Sequence, residues 1–418
     1  MKDNAMYTRR YELGLVALLF IAWGTVFMDR MALPFLSPYI KPDLGLTDAQ
    51  LGNLNAVLAL GWAASTFTLG ALSDRIGRKP VLVPSLIIVA VLTALSGVVK
   101  DYESLLIVRG LLGIAEGPIW ATMAALVSES SSERTRGSNV AVVLSAGTII
   151  GLAIAPVLMT QIASSINWHA AFFVAGGPVL LVGILVAVFV NEPRASQPHH
   201  HHHKPTLQDF KRLIATPNLW LCALAASAFM SWLYLFNAFG PLYMVEVQGL
   251  DPRVGGMVMG VSGVGGVALG FLMVWLAGRI GRKAAALIMA LLAISAPLML
   301  LVPNLYSPPW LLASLQFLTN CSVGITTLVL VVAAAESVPA NTAAAAIGVV
   351  SMFGEIVGAT AMPALGGALA SRYGLQAPLL LAGASAAVLT LAIAGLRFYR
   401  LESTPQAPVG VGQVPSAA

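Results

Sequence analysis

Residues 70–80 read GALSDRIGRKP, and residues 275–284 read WLAGRIGRKA. Arg75, Ile76, Gly77, Arg78 and Lys79 return as Arg279, Ile280, Gly281, Arg282 and Lys283, a spacing of 204 (75 to 279). Each copy follows the second apolar run of a set of six, so the chain reads as two tandem halves. Duplicated six-helix halves are the sign of a secondary transporter rocking around a midplane site. A channel has less need of such pseudo-symmetry, and an enzyme none.

The runs are long enough to cross a bilayer. The 418 residues are 58% hydrophobic and 10% charged, with a mean hydropathy of +0.84, whereas soluble domains carry about 25% charged residues. Twelve stretches approach or exceed the roughly 20 apolar residues of a membrane helix: 13–38, 50–72, 80–99, 104–127, 138–162, 170–190, 219–245, 254–277, 284–302, 309–335, 343–369 and 375–398. None shows the ten-residue alternation of a membrane β-barrel. The fold expected is an all-α membrane protein of twelve transmembrane helices in two pseudo-symmetric six-helix bundles. Residues 1–190 form the first bundle, 191–217 a linker, 218–400 the second bundle and 401–418 a disordered tail. The first run follows Lys2, Arg9 and Arg10 but exceeds a signal peptide's apolar stretch of about 7–15 residues, so it is expected to remain as the first helix.

The net charge of +5 is explained by topology rather than by nucleic acid. With the N-terminus inside, Lys41, Lys100, Arg253 and Arg372 alone fall outside, Arg30 and Arg109 lie within spans, and every other Lys and Arg is inside. This positive-inside asymmetry places both termini in the cytoplasm. The linker holds Pro193, Pro198, Pro205 and Pro217, and Leu207, Phe210, Leu213 and Ile214 give 206–214 the spacing of a short amphipathic surface helix. His199 to His203 could ligate metal, but without acidic or cysteine partners they read as a solvated low-complexity tract or a purification remnant, and no metal is expected. Cys222 and Cys321 read as isolated buried thiols.

Five charges lie deep in the apolar runs: Asp29, Arg30, Arg109, Glu116 and Glu355. Each costs roughly 2.5–3.5 kcal/mol on insertion scales, so five are not retained without use or a structural pairing. Arg109 and Glu116, two turns apart, share a face of span four, whereas Asp29 and Arg30 diverge by about 100°. Glu129, Glu246 and Glu336 sit near span ends and need no special reading. Glu355 has no basic partner identifiable in the second half. Shifted by one repeat, the first-half charges fall on Leu233, Tyr234, Ala313 and Asn320. Titratable chemistry is thus concentrated in the first half, while Trp232, Tyr234, Phe236, Asn237 and Asn320 give the second half rings and amides suited to an organic body. Pro241 is expected to open span seven near Tyr234 and Asn237, and Trp62 and Trp120 are further candidate contacts. Gly147, Gly151, Gly260, Gly263, Gly266, Gly354 and Gly358 have the small-residue spacing of close helix crossings.

The loop after span two, with Gly70, Asp74, Arg75, Gly77, Arg78 and Lys79, resembles without departure the signature of the major facilitator superfamily, and the resemblance extends over the whole chain. It implies a cytoplasmic gate that holds the bundles together when the carrier opens outward; Gly278 in place of Asp74 implies a weaker second copy. The MDR of residues 28–30 with RGLLGIAEG at 109–117 is similar to the anion:cation symporters, which move carboxylates with protons. That likeness implies that Arg30 meets the substrate carboxylate, that Asp29 and Glu116 carry protons and that Arg109 switches between them. Pro156 after Ala155, where antiporters usually carry Gly-Pro, leans towards symport. Val26 and Phe27 replace the group's Asn-Tyr pair and Trp62 its tyrosine, which favours a flatter or more apolar anion and keeps Spinster-like lysolipid transporters as an alternative.

The expected function is therefore proton-coupled import of an organic anion by alternating access in a bacterial cytoplasmic membrane. Substrate contacts fall on Arg30, Trp62, Trp120, Tyr234, Asn237, Asn320 and Glu355, with the proton as coupling ion, no cofactor, no nucleic acid and a monomeric state. The alternative for the buried charges is a static ion network that fixes helix packing. A membrane sensor is the rival from another class, though no signalling domain follows Arg400. No Ser/His or metal constellation suggests an enzyme.

Overall fold

The computed structural model describes residues 9–191, 212–301, 308–339 and 342–398, and every regular element among them is helical. Eleven helices are long and apolar enough to cross a membrane. They are α1 (Arg9–Asp43), α2 (Asp48–Ile76), α3 (Lys79–Ser96), α4 (Tyr102–Ser130), α5 (Arg136–Ser165), α6 (Trp168–Phe189), α7 (Pro217–Glu246), α8 (Pro252–Ile280), α9 (Arg282–Leu301), α11 (Ala343–Tyr373) and α12 (Gln376–Gly395). The tenth run is helical in pieces, here called α10: Pro309–Thr319, then, after Asn320 and Cys321, Ser322–Ile325 and Thr326–Glu336. Asn320 turns its amide onto the Ser262 hydroxyl at 3.2 Å, so the break that a continuous apolar run concealed is tied to α8.

Local sequence sets the ends. Thr47 and Gln50 form a reciprocal capping box on α2. Asp101 and Asn167 accept from backbone N–H groups of Ser104 and Ala170, both at 2.8 Å. The repeated loop turns on Gly77 and Gly281, whose φ values of 107° and 89° lie where a Cβ is disfavoured. Residues 206–211 of the expected surface helix and the histidine tract lie outside the described residues; Arg212 to Ile214 are helical.

Helices α1–α6 pack together, as do α7–α12, and the two groups meet along α2 with α11, α5 with α8, and α1 with α7. The first two seams are related by the repeat. Both use helices containing a widened π-helical segment, Gly147–Ile154 in α5 and Gly354–Ala361 in α11, a feature frequent at functional sites. The seams involve these segments and the helical stretches C-terminal to them, 155–165 and 362–373, whereas Arg136–Ala146 and Ala343–Phe353 pack chiefly within their own groups. The bundles therefore close at the face remote from the GALSDRIGRKP loop, here the far face, and diverge towards that loop.

The far-face seams depend on backbone proximity. A Cβ on Gly263 would stand 2.2 Å from the Leu152 carbonyl oxygen, and one on Gly52 2.4 Å from that of Pro363. Pro156 explains the first contact, since it has no N–H to offer Leu152, and that carbonyl faces the next helix. Gly260 also meets α5, as expected, whereas Gly147 and Gly151 face Trp23 and Phe27 and Gly358 faces Met230, contacts within one bundle. Gly52, Gly256 and Gly367 belong to the far-face seams without having been singled out in the sequence.

Candidate functional site

Where the two bundles meet, α1 places Asp29 and Arg30 on different sides, α4 contributes Arg109 and Glu116, and α11 contributes Glu355 from its π-helical segment. All five are buried: Asp29, Arg109 and Glu116 are at most 1% exposed, Arg30 5% and Glu355 9%. The five side chains that sequence reasoning singled out as deep charges thus form one neighbourhood.

Arg30 is its centre. Its Nη2 donates to Glu355 Oε2 at 3.3 Å, and its Nη1 lies 3.9 Å from Glu116 Oε2. The partner missing from the second half is therefore in the first, 325 residues away. The Arg30 Cζ lies 5.2 Å from the ring centre of Trp62 and 5.4 Å from that of Tyr234, within cation–π range. One guanidinium is thus held by carboxylates from both bundles and by an aromatic ring from each.

A proline in α1 determines where Arg109 is held. Pro34, inside that helix, cannot return a hydrogen bond to the carbonyl four residues earlier, which is that of Arg30. Arg109 Nη2 donates to that oxygen at 3.3 Å. A helix defect in α1 thereby fixes the arginine of α4. Arg109 shares this part of the cluster with Asp29 and Glu116, the second of which its two-turn spacing within α4 anticipates.

Neither oxygen of Asp29 and neither of Glu116 has a hydrogen-bond partner among the described residues, and Arg109 Nε and Nη1 also lack one. The Thr93 hydroxyl near Asp29 donates instead to the Val89 carbonyl at 2.7 Å. Buried ionised groups left short of donors and acceptors are costly, at several kcal/mol per ion.

The other candidates make contacts of their own. Trp120 packs against Trp23, ring centres 5.0 Å apart. Asn237 donates to Leu233 of its own helix at 2.7 Å, and α7 runs unbroken through Pro241. Asn320 serves the α10–α8 junction. Trp232 and Phe236 stack on one another, ring centres 6.0 Å apart.

The repeated loop is engaged within its own bundle. Arg78 pairs with Asp74 and with Glu129 at the end of α4, where Nη2 and Nε reach Oε1 at 2.8 and 3.1 Å. Gly70 has open space beside it and Arg75 is exposed. In the second copy Arg282 pairs with Glu336 and the Lys283 ammonium donates to the Ala394 carbonyl at 2.6 Å. Arg279 lies over the Trp275 ring at 3.9 Å. Loss of the Asp74 counterpart has therefore not removed the arginine's partner.

At the far face Lys41 binds Asp48 at 2.7 Å and Glu246 of the other bundle at 2.8 Å. Glu129, Glu246 and Glu336, set aside in the sequence as span-end charges, are each one end of an ion pair. Their partners lie 51, 205 and 54 residues away, so the sequence showed the helix-end position and not the pairing. Cys222 and Cys321 are free and buried, and no group of metal-ligating side chains occurs among the described residues.

Comparison with known proteins is consistent with this architecture. The profile of the Major Facilitator Superfamily matches residues 18–362. The hexuronate transporter of Bacillus subtilis (strain 168) is 28% identical over 250 residues, 57% of this chain and 58% of the relative. The probable 4-methylmuconolactone transporter of Cupriavidus pinatubonensis is 32% identical over 163 residues, 38% of each chain. This chain thus spans less than two thirds of the length of these relatives. Among solved structures, a bacterial homologue of the human lysosomal transporter Spinster, in an inward-facing and unoccupied conformation, superposes with a TM-score of 0.74 at 18% identity, covering 93% of this chain and 98% of that one.

Proposed function

The chain belongs to the Major Facilitator Superfamily, and from that premise we propose that it imports an organic anion, a carboxylate, together with protons by alternating access. The membrane is the bacterial cytoplasmic membrane and both termini are cytoplasmic, which makes the face of the GALSDRIGRKP loop the inner one and the described state inward-open. Relatives that carry a hexuronate and a muconolactone support the substrate class.

One observation carries the reading: the buried cluster has three acids, Asp29, Glu116 and Glu355, around two arginines. A bound carboxylate would add a fourth negative group in a medium that tolerates no such excess. Anion entry therefore favours proton uptake by the cluster, which is symport. Arg30 is the anion's partner, because its guanidinium faces both bundles and the rings of Trp62 and Tyr234 can border an organic body. Asp29 and Glu116 are the proton carriers, and Arg109, held by the Arg30 carbonyl, distributes its charge between them.

A lysolipid carrier is the second reading, favoured by the apolar side chains of Val26 and Phe27 and by Trp62 beside Arg30. Uptake of radiolabelled aromatic, aliphatic and sugar carboxylates by proteoliposomes, with and without an inward proton gradient, separates the two. Accumulation that needs the gradient and is lost in Asp29→Asn is the expected result. Lysolipid binding with no acid taken up would overturn the proposal.

A further inference from the structure

The Arg30–Glu355 pair joins the two bundles at the place where a substrate carboxylate is proposed to bind. We infer that Glu355 is a built-in competitor for that carboxylate: it occupies Arg30 in the empty carrier and must be displaced before an organic acid can bind. This rests on the carboxylate reading above and assigns to Glu355 the role of setting affinity and return rate.

The geometry supports displacement over simple neighbourhood. Arg30 has one terminal nitrogen towards Glu355 at 3.3 Å and the other towards Glu116 at 3.9 Å, and the rings of Trp62 and Tyr234 lie near the guanidinium. A ligand carboxylate brought to this guanidinium would stand beside two carboxylate partners already on its terminal nitrogens, and like charges crowded in a buried site oppose one another, so ligand and resident carboxylate compete for one cation. Of those partners, Glu355 has the shorter contact and the greater exposure. It also stands in the π-helical segment Gly354–Ala361, a kind of segment frequent at functional sites. Glu116 lies on an unbroken stretch of α4 at 1% exposure, so Glu355 is the partner free to withdraw.

The same pair gives the empty carrier a means of returning. A symporter must reorient without substrate, and an Arg30 left with only its 3.9 Å contact to Glu116 would oppose that step. Glu355 supplies from α11 the negative group that the substrate supplies when bound. Binding of substrate thus exchanges a tie between the bundles for a ligand, and release restores the tie.

The test uses the full chain in nanodiscs with benzoate and glucuronate as probes, comparing wild type, Glu355→Gln, Glu355→Asp and Arg30→Ala. Glu355→Gln is expected to bind the preferred probe about tenfold tighter, equivalent to about 1.4 kcal/mol. In proteoliposomes its KM falls while its net uptake rate drops, and exchange of internal for external probe stays fast, a split that general loss of packing would not produce. Glu355→Asp, with a shorter reach, is expected to lie between and carries the test if the glutamine variant does not fold. Unchanged or weaker binding in both Glu355 variants, with binding still abolished in Arg30→Ala, overturns the competitor role and leaves the carboxylate reading standing. Binding that survives Arg30→Ala, or no binding of either probe by any form, overturns both.

Discussion

The two bundles repeat their scaffold and not their chemistry. Both copies of the loop turn on a glycine of positive φ and pair an arginine with a glutamate at a helix end, Arg78 with Glu129 and Arg282 with Glu336. Both halves place a π-helical segment at the seam. The five deep charges are divided four to one, with Glu355 in the second bundle. A rocking motion is served by two halves built alike, whereas the proposed binding of an anion and a proton is served by one asymmetric cluster. The second half contributes the ring of Tyr234 and a carboxylate that crosses the interface.

The comparison can be broken most directly at its centre. Arg30→Ala removes the buried cation held between the bundles and is expected to lower carboxylate uptake by at least about 30-fold, consistent with roughly 2–5 kcal/mol for truncating a buried charge pair. Uptake in proteoliposomes checks it, and a loss of similar size in Tyr234→Phe would contradict the placement of charge chemistry in the first bundle. Asp29→Asn is expected to abolish gradient-driven accumulation while retaining exchange at a rate within about tenfold of wild type, since the proposed proton carrier and the proposed anion partner are different side chains; loss of exchange as well would make Asp29 a binding residue.

The seams provide smaller effects. Gly263→Val would drive a side chain against the Leu152 carbonyl and is expected to shift the carrier away from the far-face-closed state. Spin-label distances across the far face should lengthen by several ångströms, on the order of one side-chain layer. Lys41→Gln removes ion pairs to Asp48 and Glu246. These partly exposed pairs are worth about 0–1 kcal/mol each, so cysteine accessibility at the far-face seam should rise by no more than about 30-fold. An effect larger than that of Gly263→Val would mean that charge, rather than backbone contact, holds the seam.

Most of the scaffold was legible in the sequence because a bilayer leaves few options. Backbone groups must be satisfied within each span, so length and apolarity reveal helices, and the RIGRK repeat gives the register of the halves. Helix faces were harder to read. Lipid tails and the bundle interior are both apolar, so no amphipathic stripe shows that Arg30 turns towards α11 or that Asn237 bonds its own helix. The Arg30–Glu355 pair spans 325 residues and depends on how two bundles dock, which spacing does not encode. The Arg109 contact did leave a signal, in that Pro34 comes one turn after Arg30.

That proline also has a genetic consequence. Arg109 is anchored to an oxygen of the main chain at position 30, and every amino acid has that oxygen. The side chain at 30 can therefore be exchanged while the anchor for Arg109 remains, so the roles proposed for the two arginines, in ligand choice and in energy coupling, can be probed by separate substitutions although they meet at one residue.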